Sequence, residues 1–261
     1  MRARLRARDG LMITFSVTGS LAVLFILIPI LLIFIYSDPS SMTMAMLRTD
    51  VQRAFIVSLS ASTVTTLIAL IIGIPIAYVL ARAEFKGKRF LESLVDLPIV
   101  IPHSVAGIAI LVAFGSKAPL GGVLSNLGLV IEDTFWGVVF AMLFVSLPLM
   151  IDSVKDGFRG VDVELENVAR TLGASSFRVF TTITMPLAFR HVLTGSVLTW
   201  ARSMSEVGAI MVVAYFPRTA QVLIIEEFET MGMRAALPIA ATLLIISIAI
   251  FAILRLVARR P

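Results

Sequence analysis

Two stretches of this chain, Leu11–Tyr36 and Ala54–Ala81, run for 26 and 28 residues without a charged side chain. A bilayer core about 30 Å thick is crossed by roughly 20 apolar helical residues, and the helix satisfies its own backbone polar groups on the way. Both stretches exceed that length. Leu97–Ser116 and Ala235–Leu254 match it, Phe135–Ile151 is shorter but uncharged, and Val192–Pro217 is apolar apart from Arg202 and Glu206. The pattern predicts an all-α polytopic membrane protein: six transmembrane helices in a single domain over residues 1–261. Only 15% of the residues are charged and 58% are hydrophobic, too little polar surface for a fold that faces water. Arg2, Arg4, Arg6 and Arg8 precede the first run, as they would in a secretory signal. That run is longer than a signal's apolar region and no small-residue cleavage site is evident, so it is read as a retained span.

The distribution of positive charge sets an orientation. Of the 22 Lys and Arg residues, 16 fall at the N-terminus, in Arg82–Arg89, in Lys155–Arg190 or at the C-terminus. The opposite loops hold Arg48, Lys117, Arg218 and Arg234, with Arg53 at a helix entrance. The positive-inside rule then predicts a multi-pass protein of the cell membrane with both termini in the cytoplasm. Basic residues confined to the flanks of apolar runs argue against nucleic acid as a partner, although the net charge is +5. The absence of cysteine removes thiolate metal sites, and two distant histidines, His103 and His191, do not form a metal centre.

The predicted cytoplasmic loop from Asp152 to Arg190 holds two short amphipathic helices. Val161, Leu165, Val168 and Leu172 share one face at helical spacing. Asp162 caps the start of that helix, and Gly173 ends it in a left-handed turn. Ser175 or Ser176 caps a second helix bearing Phe177, Phe180 and Ile183, closed by Pro186. The apolar faces cover either the ends of their own bundle or a surface on a partner.

Within this loop, Leu165-Glu166-Asn167-Val168-Ala169-Arg170-Thr171-Leu172-Gly173, followed by Ile183-Thr184-Met185-Pro186, resembles the signature loop of ABC importer permeases. In that family the loop begins Glu-Ala-Ala, places Gly six residues after the Glu, and ends Ile-x-Leu-Pro. Ala169, Gly173, Ile183 and Pro186 fit at the family's spacing; Asn167 stands where the Glu is expected, with Glu166 one place earlier, and Val168 and Met185 replace Ala and Leu. The resemblance implies the type I importer permease fold and a loop that docks on a separate ATPase through Glu166, Asn167, Ala169, Arg170, Gly173 and Pro186. It also implies a second copy of the chain, two ATP-binding cassette subunits and an extracellular oxyanion-binding protein as partners, beside membrane lipid. No G-x-x-x-x-G-K-[ST] phosphate loop occurs in the sequence, so ATP and Mg²⁺ are expected on the partner, with no cofactor and no catalytic residue here.

Asp96-Leu97-Pro98-Ile99-Val100-Ile101-Pro102-His103-Ser104-Val105-Ala106-Gly107 and Ala201-Arg202-Ser203-Met204-Ser205-Glu206-Val207-Gly208-Ala209 are similar to stretches of permeases for tetrahedral oxyanions. The form is most similar to archaeal molybdate and tungstate permeases, with sulfate permeases next. A dianion crossing a low-dielectric bundle needs hydrogen-bond donors without a deep positive well. Ser58, Ser62 and Thr65 lie along one face of the second span; they either line a path or bond within the bundle and allow close packing. His103 and Ser104 follow two prolines, Pro98 and Pro102, and face the path or pack as neutral groups. Arg202 and Glu206, four residues apart within a span, pair on a helix. They serve either the ion, beside Ser205, or the fold.

Glu226, Glu227 and Glu229 cluster on the predicted outer side. They would repel a free dianion, which favours delivery by a binding protein whose basic rim meets them. A secondary anion transporter is the rival from another class; it needs no docking loop and usually shows internal repeats, of which none is convincing. An intramembrane enzyme lacks support, since G-x-S-x-G is absent.

Overall fold

The computed structural model describes residues 2–259, with side chains described for residues 10–256. The terminal arginines that contribute to the predicted orientation, Arg2, Arg4, Arg6, Arg8, Arg259 and Arg260, lie outside those side chains. In chain order the helices are α1 (Arg2–Tyr36), α2 (Pro39–Leu47), α3 (Thr49–Arg82), α4 (Lys88–Val100) and α5 (His103–Phe114). Next come α6 (Gly121–Asn126), α7 (Phe135–Arg159), α8 (Val163–Thr171) and α9 (Ser176–Val179). A π-helical turn, Phe180–Thr184, leads into α10 (Met185–Met204), then α11 (Gly208–Val213), α12 (Ala220–Met231) and α13 (Met233–Arg259). Among the described residues there is no strand.

Among the described residues, four helical stretches are long and apolar enough to cross a membrane: Gly10–Tyr36, Thr49–Arg82, Phe135–Arg159 and Met233–Leu256. The other two expected spans are not single rods. Leu97–Ser116 was expected as one helix, but α4 and α5 are bent by 116° at Ile101-Pro102. The cause is local. Pro102 has no N–H to donate and pushes the residue before it out of the helical region. Ile101 accordingly sits at φ −70°, ψ 131°. Val192–Pro217 also divides: α10 ends at Met204, the chain turns through Ser205-Glu206-Val207, and α11 follows. Val207 at φ −138°, ψ −43° marks that break.

The core is α3, α7 and α10. Small residues recur every fourth position on α3 as Ala61, Thr65, Ala69, Gly73 and Ala77, all buried. Lipid offers apolar surface as good as any leucine, so membrane helices associate through close van der Waals contact, which small residues permit. One side chain shows the result. Met150 of α7 lies where a Cβ on Gly73 of α3 would stand 2.9 Å from its Cγ. On its other side, a Cβ on Gly195 of α10 would stand 3.2 Å from its Sδ. A second layer joins the start of α3 to α2, α12 and α13 through Ala45, Val51, Ala54, Phe55, Ala220, Leu223 and Ile239. α1 stands apart: over its most apolar 18 residues none is buried.

Candidate translocation and docking sites

The two helix breaks face each other, and His103, Arg202 and Glu206 sit where they meet. His103 is the first residue of α5, Arg202 lies in the last turn of α10, and Glu206 occupies the break before α11. Glu206 Oε2 is 2.6 Å from His103 Nδ1 and 3.0 Å from Arg202 Nη2. Its other oxygen accepts from the Ala209 N–H at 2.8 Å, satisfying an orphan donor at the start of α11. Arg202 Nη2 is 3.0 and 3.1 Å from the two ring nitrogens of His103, which places the guanidinium over the imidazole face. Arg202 Nη1 also donates to Ser205 Oγ at 3.3 Å. Gly208 is what lets α11 come so near, since a Cβ there would lie 2.7 Å from His103 Cβ.

The electrostatics follow from burial. Glu206 is 1% exposed, while the side chains of Arg202 and His103 are 23% and 49% exposed. A buried carboxylate requires a paired cation. Arg202 supplies it and keeps an edge at the surface, with Ser104 and Ser205 exposed beside it. Arginine carries five N–H donors, so a fixed pairing with Glu206 does not exhaust it. The structure thus gives the Arg202–Glu206 pair a structural task and leaves donors at its open edge.

The hydroxyls of α3 do not line an open path. Ser58, Ser62 and Thr65 are fully buried. Ser58 accepts from the Ala220 N–H at 2.8 Å and donates to Gln221 Oε1 at 2.8 Å. Ser62 lies against the sulfurs of Met142 and Met204, and Thr65 donates to the Val139 carbonyl at 3.4 Å. Close packing consumed the face that was read as a candidate path. Ser58→Ala is therefore expected to act on stability, since it orphans the Ala220 N–H and part of Gln221 at about 1–3 kcal/mol. Thermal unfolding of the purified variant should show that loss, with transport per folded molecule unchanged.

The loop between α7 and α10 forms much as its sequence specifies. Asp162 caps α8 by accepting from the Glu164 N–H at 2.9 Å. Gly173 takes φ +90°. The Gly173 N–H donates to the Arg170 carbonyl and the Ala174 N–H to the Ala169 carbonyl. That pair of bonds is a Schellman termination. Leu165, Val168, Leu172 and Phe177 are exposed, whereas Val161 is buried with Phe158 beneath the loop. The apolar face is thus divided between bundle and surroundings. Asn167, Arg170 and Gly173 are exposed, and Ala169 is half-buried.

Two expectations change. Glu166 was read as a contact for a partner, but its side chain is 1% exposed. It accepts from Arg82 Nη2 at 2.7 Å, Arg82 Nε at 3.0 Å and Thr184 Oγ1 at 2.8 Å. Pro186 does not close the second helix; it is the second residue of α10, directly after the π-helical turn. Arg82 and Thr184 had not been singled out, although Arg82 is the charge that ends the long apolar run of α3. At the opposite end of the bundle, Glu226 pairs with Arg218 at 2.9 Å and Glu227 with Arg48. The expected acidic cluster is therefore largely neutralised within the chain, and Glu229 is left exposed.

Long apolar helices, two further segments broken around one charged cluster, and a capped amphipathic helix outside the bundle define a polytopic α-helical permease. The family described as binding-protein-dependent transport system inner membrane component matches residues 69–261, and the chain belongs to that family. It is a transport subunit and not an enzyme. Over 250 residues it is 46% identical to a molybdate/tungstate transport system permease protein of Thermococcus kodakarensis, covering 95% of this chain and 96% of that one. Over 211 residues it is 39% identical to a molybdenum transport system permease protein of Escherichia coli K12, covering 78% and 91%. Its fold is shared with a bacterial ABC transporter that imports alginate, at a TM-score of 0.74 and 17% identity over 97% and 96% of the two chains. An inward-facing methionine ABC transporter matches at a TM-score of 0.61 and 14% identity, over 80% and 92%.

Proposed function

We propose that this chain is the permease subunit of an ABC importer for molybdate and tungstate. The observation that carries the reading is 46% identity, over almost the whole of both chains, to a permease of that name. The site supports it on physical grounds. A tetrahedral dianion needs N–H and O–H donors at the point where it sheds water, and a bare arginine in low dielectric would hold it too firmly for release. Arg202 offers donors beside Ser104 and Ser205, while Glu206 offsets its charge. Contact without deep trapping is what passage requires.

In this reading two copies of the chain form the pathway, and both termini are cytoplasmic. ATP and Mg²⁺ are handled by two ATPase subunits, which receive α8 and α9 through Leu165, Val168, Leu172 and Phe177, with Asn167, Ala169, Arg170 and Gly173 around them. Delivery from outside is by an oxyanion-binding protein. Of the outer acids, Glu229 is the one free to meet its basic rim.

The test is molybdate uptake by the reconstituted complex. Arg202→Lys, which leaves Glu206 a cation but removes the fork of donors, is expected to slow uptake roughly tenfold or more, the worth of one to two charge-assisted hydrogen bonds, while the ATPase subunits still co-purify. Uptake at the unaltered rate would remove Arg202 from the path.

A further inference from the structure

α8 has an unusual attachment. Its one buried residue is Glu166. An amphipathic helix normally lies on its bundle through an apolar stripe, but here Leu165, Val168 and Leu172 point outward and are 49%, 57% and 83% exposed. The helix is held to the chain by a carboxylate instead. That carboxylate ties α8 to two other segments, the end of α3 and the turn before α10. Arg82, the last residue of α3, donates to Glu166 Oε1 through both Nε and Nη2, and its Nη2 also donates to the Val161 carbonyl at 3.0 Å just before α8. Thr184, the last residue before α10, donates to the same Oε1. Arg170, one turn along α8, places Nη2 3.5 Å from Oε2.

We infer that Arg82, Glu166 and Thr184 act as a strut that makes α8 one rigid body with α3 and α10, and that Glu166 is a positioning residue for coupling. The inference rests on the proposed importer function for its consequence, but not for the strut itself. Apolar contacts are non-directional and let a helix slide, whereas a buried carboxylate with three short donors fixes both place and rotation. Aromatic packing closes the same joint. Phe180, in the π-helical turn, meets Tyr78 of α3 and Phe158 of α7 edge to face, with ring centroids 5.0 and 5.9 Å away. A rotation of α8 is therefore delivered to two long helices at their cytoplasmic ends. α10 carries it about 27 Å, at 1.5 Å per residue, from Thr184 to Arg202 and the charged cluster.

Two measurements test this. The first uses spin labels on Asn167 of α8 and Lys86 beyond α3, both exposed, in the purified chain without any ATPase. The distance distribution should be narrow in the wild type and at least twice as broad in Glu166→Gln and Arg82→Lys. An unbroadened distribution in both variants overturns the strut. The second uses the complex with its ATPase subunits and the molybdate-loaded binding protein. Both variants should co-purify and keep basal hydrolysis, while stimulation by the loaded binding protein falls about tenfold. If Glu166→Gln loses co-purification and Arg82→Lys keeps it, Glu166 touches the ATPase directly and the positioning role is wrong. If basal and stimulated hydrolysis fall in parallel with assembled protein, the role is stability alone and the inference also fails. Broadening in the first measurement, with a wild-type complex that shows no stimulation, would leave the strut standing and overturn the importer reading.

Discussion

Gly173→Val is expected to insert and fold normally and yet to lose most of the stimulation of ATP hydrolysis by a loaded binding protein. The reason lies in one dihedral angle. Gly173 sits at φ +90°, and a Cβ built there meets nothing within 4 Å. The penalty is therefore purely torsional. A β-branched residue in that region is a genuine outlier, at a local cost of order 1–3 kcal/mol. Such a cost is small against a bundle knit by α3, α7 and α10. It is large for the two bonds that end α8, the Gly173 N–H to Arg170 and the Ala174 N–H to Ala169. The chain relieves it by unwinding the last turn of α8, which moves Leu172 and Phe177, the most exposed apolar side chains of the loop. Gly173→Asn separates the causes, since asparagine tolerates the left-handed region far better and should keep most of the stimulation. Hydrolysis by the reconstituted complex, with and without loaded binding protein, measures the effect. Full stimulation in Gly173→Val would remove this loop as the transmitting element.

Glu206→Ala is expected to be strongly destabilising. It strips Arg202 and His103 of their carboxylate and frees the Ala209 N–H at the start of α11. Removing one partner of a buried ion pair costs about 3–5 kcal/mol, because the remaining charge is uncompensated. The sign of the coupling is the informative part. Adding Arg202→Met to Glu206→Ala removes that uncompensated charge, so the double variant should be more stable than Glu206→Ala alone. The lost cap on α11 remains, at about 1 kcal/mol. Thermal unfolding of the four proteins in detergent closes the cycle. A double variant no better than the single would mean that Glu206 acts through the cap and the turn rather than through charge.

The residues that terminate helices were legible in the sequence because their effects are local. Asp162, Ser175 and Gly173 each act within three residues, and each does in the structure what its type prescribes. Pro102 signalled freed backbone but not the size of the turn, since a missing N–H says where a helix breaks and not which way it leaves. The roles of polar residues inside the bundle depended on partners far along the chain. Ser58 bonds a residue 163 positions away, and Glu166 bonds Arg82 across 84. No spacing rule reaches that far. The face of Ser58, Ser62 and Thr65 left path lining and close packing both open, because a stripe of small hydroxyls on a helix reads the same whether it meets an ion or another helix. The outer acids misled for a related reason: Arg48 and Arg218, distant from them in one dimension, neutralise two of the three in space.

Met150, seated between Gly73 and Gly195, works as a dowel through three helices. Translating α3 or α10 past it by one helical turn would bring Ala69 or Ala77 to the place of Gly73, or His191 or Thr199 to that of Gly195, and so put a Cβ against its side chain. Shear within this trio is therefore opposed as the chain alternates between open and closed forms. The freedom to move is left to the segments beside it, at Ile101-Pro102 and at Ser205-Val207, where the backbone is already unlaced. Residue size thus divides the molecule into a pinned frame and a pair of hinges, and the ion pair spans that line, with Arg202 on α10 and Glu206 in the hinge.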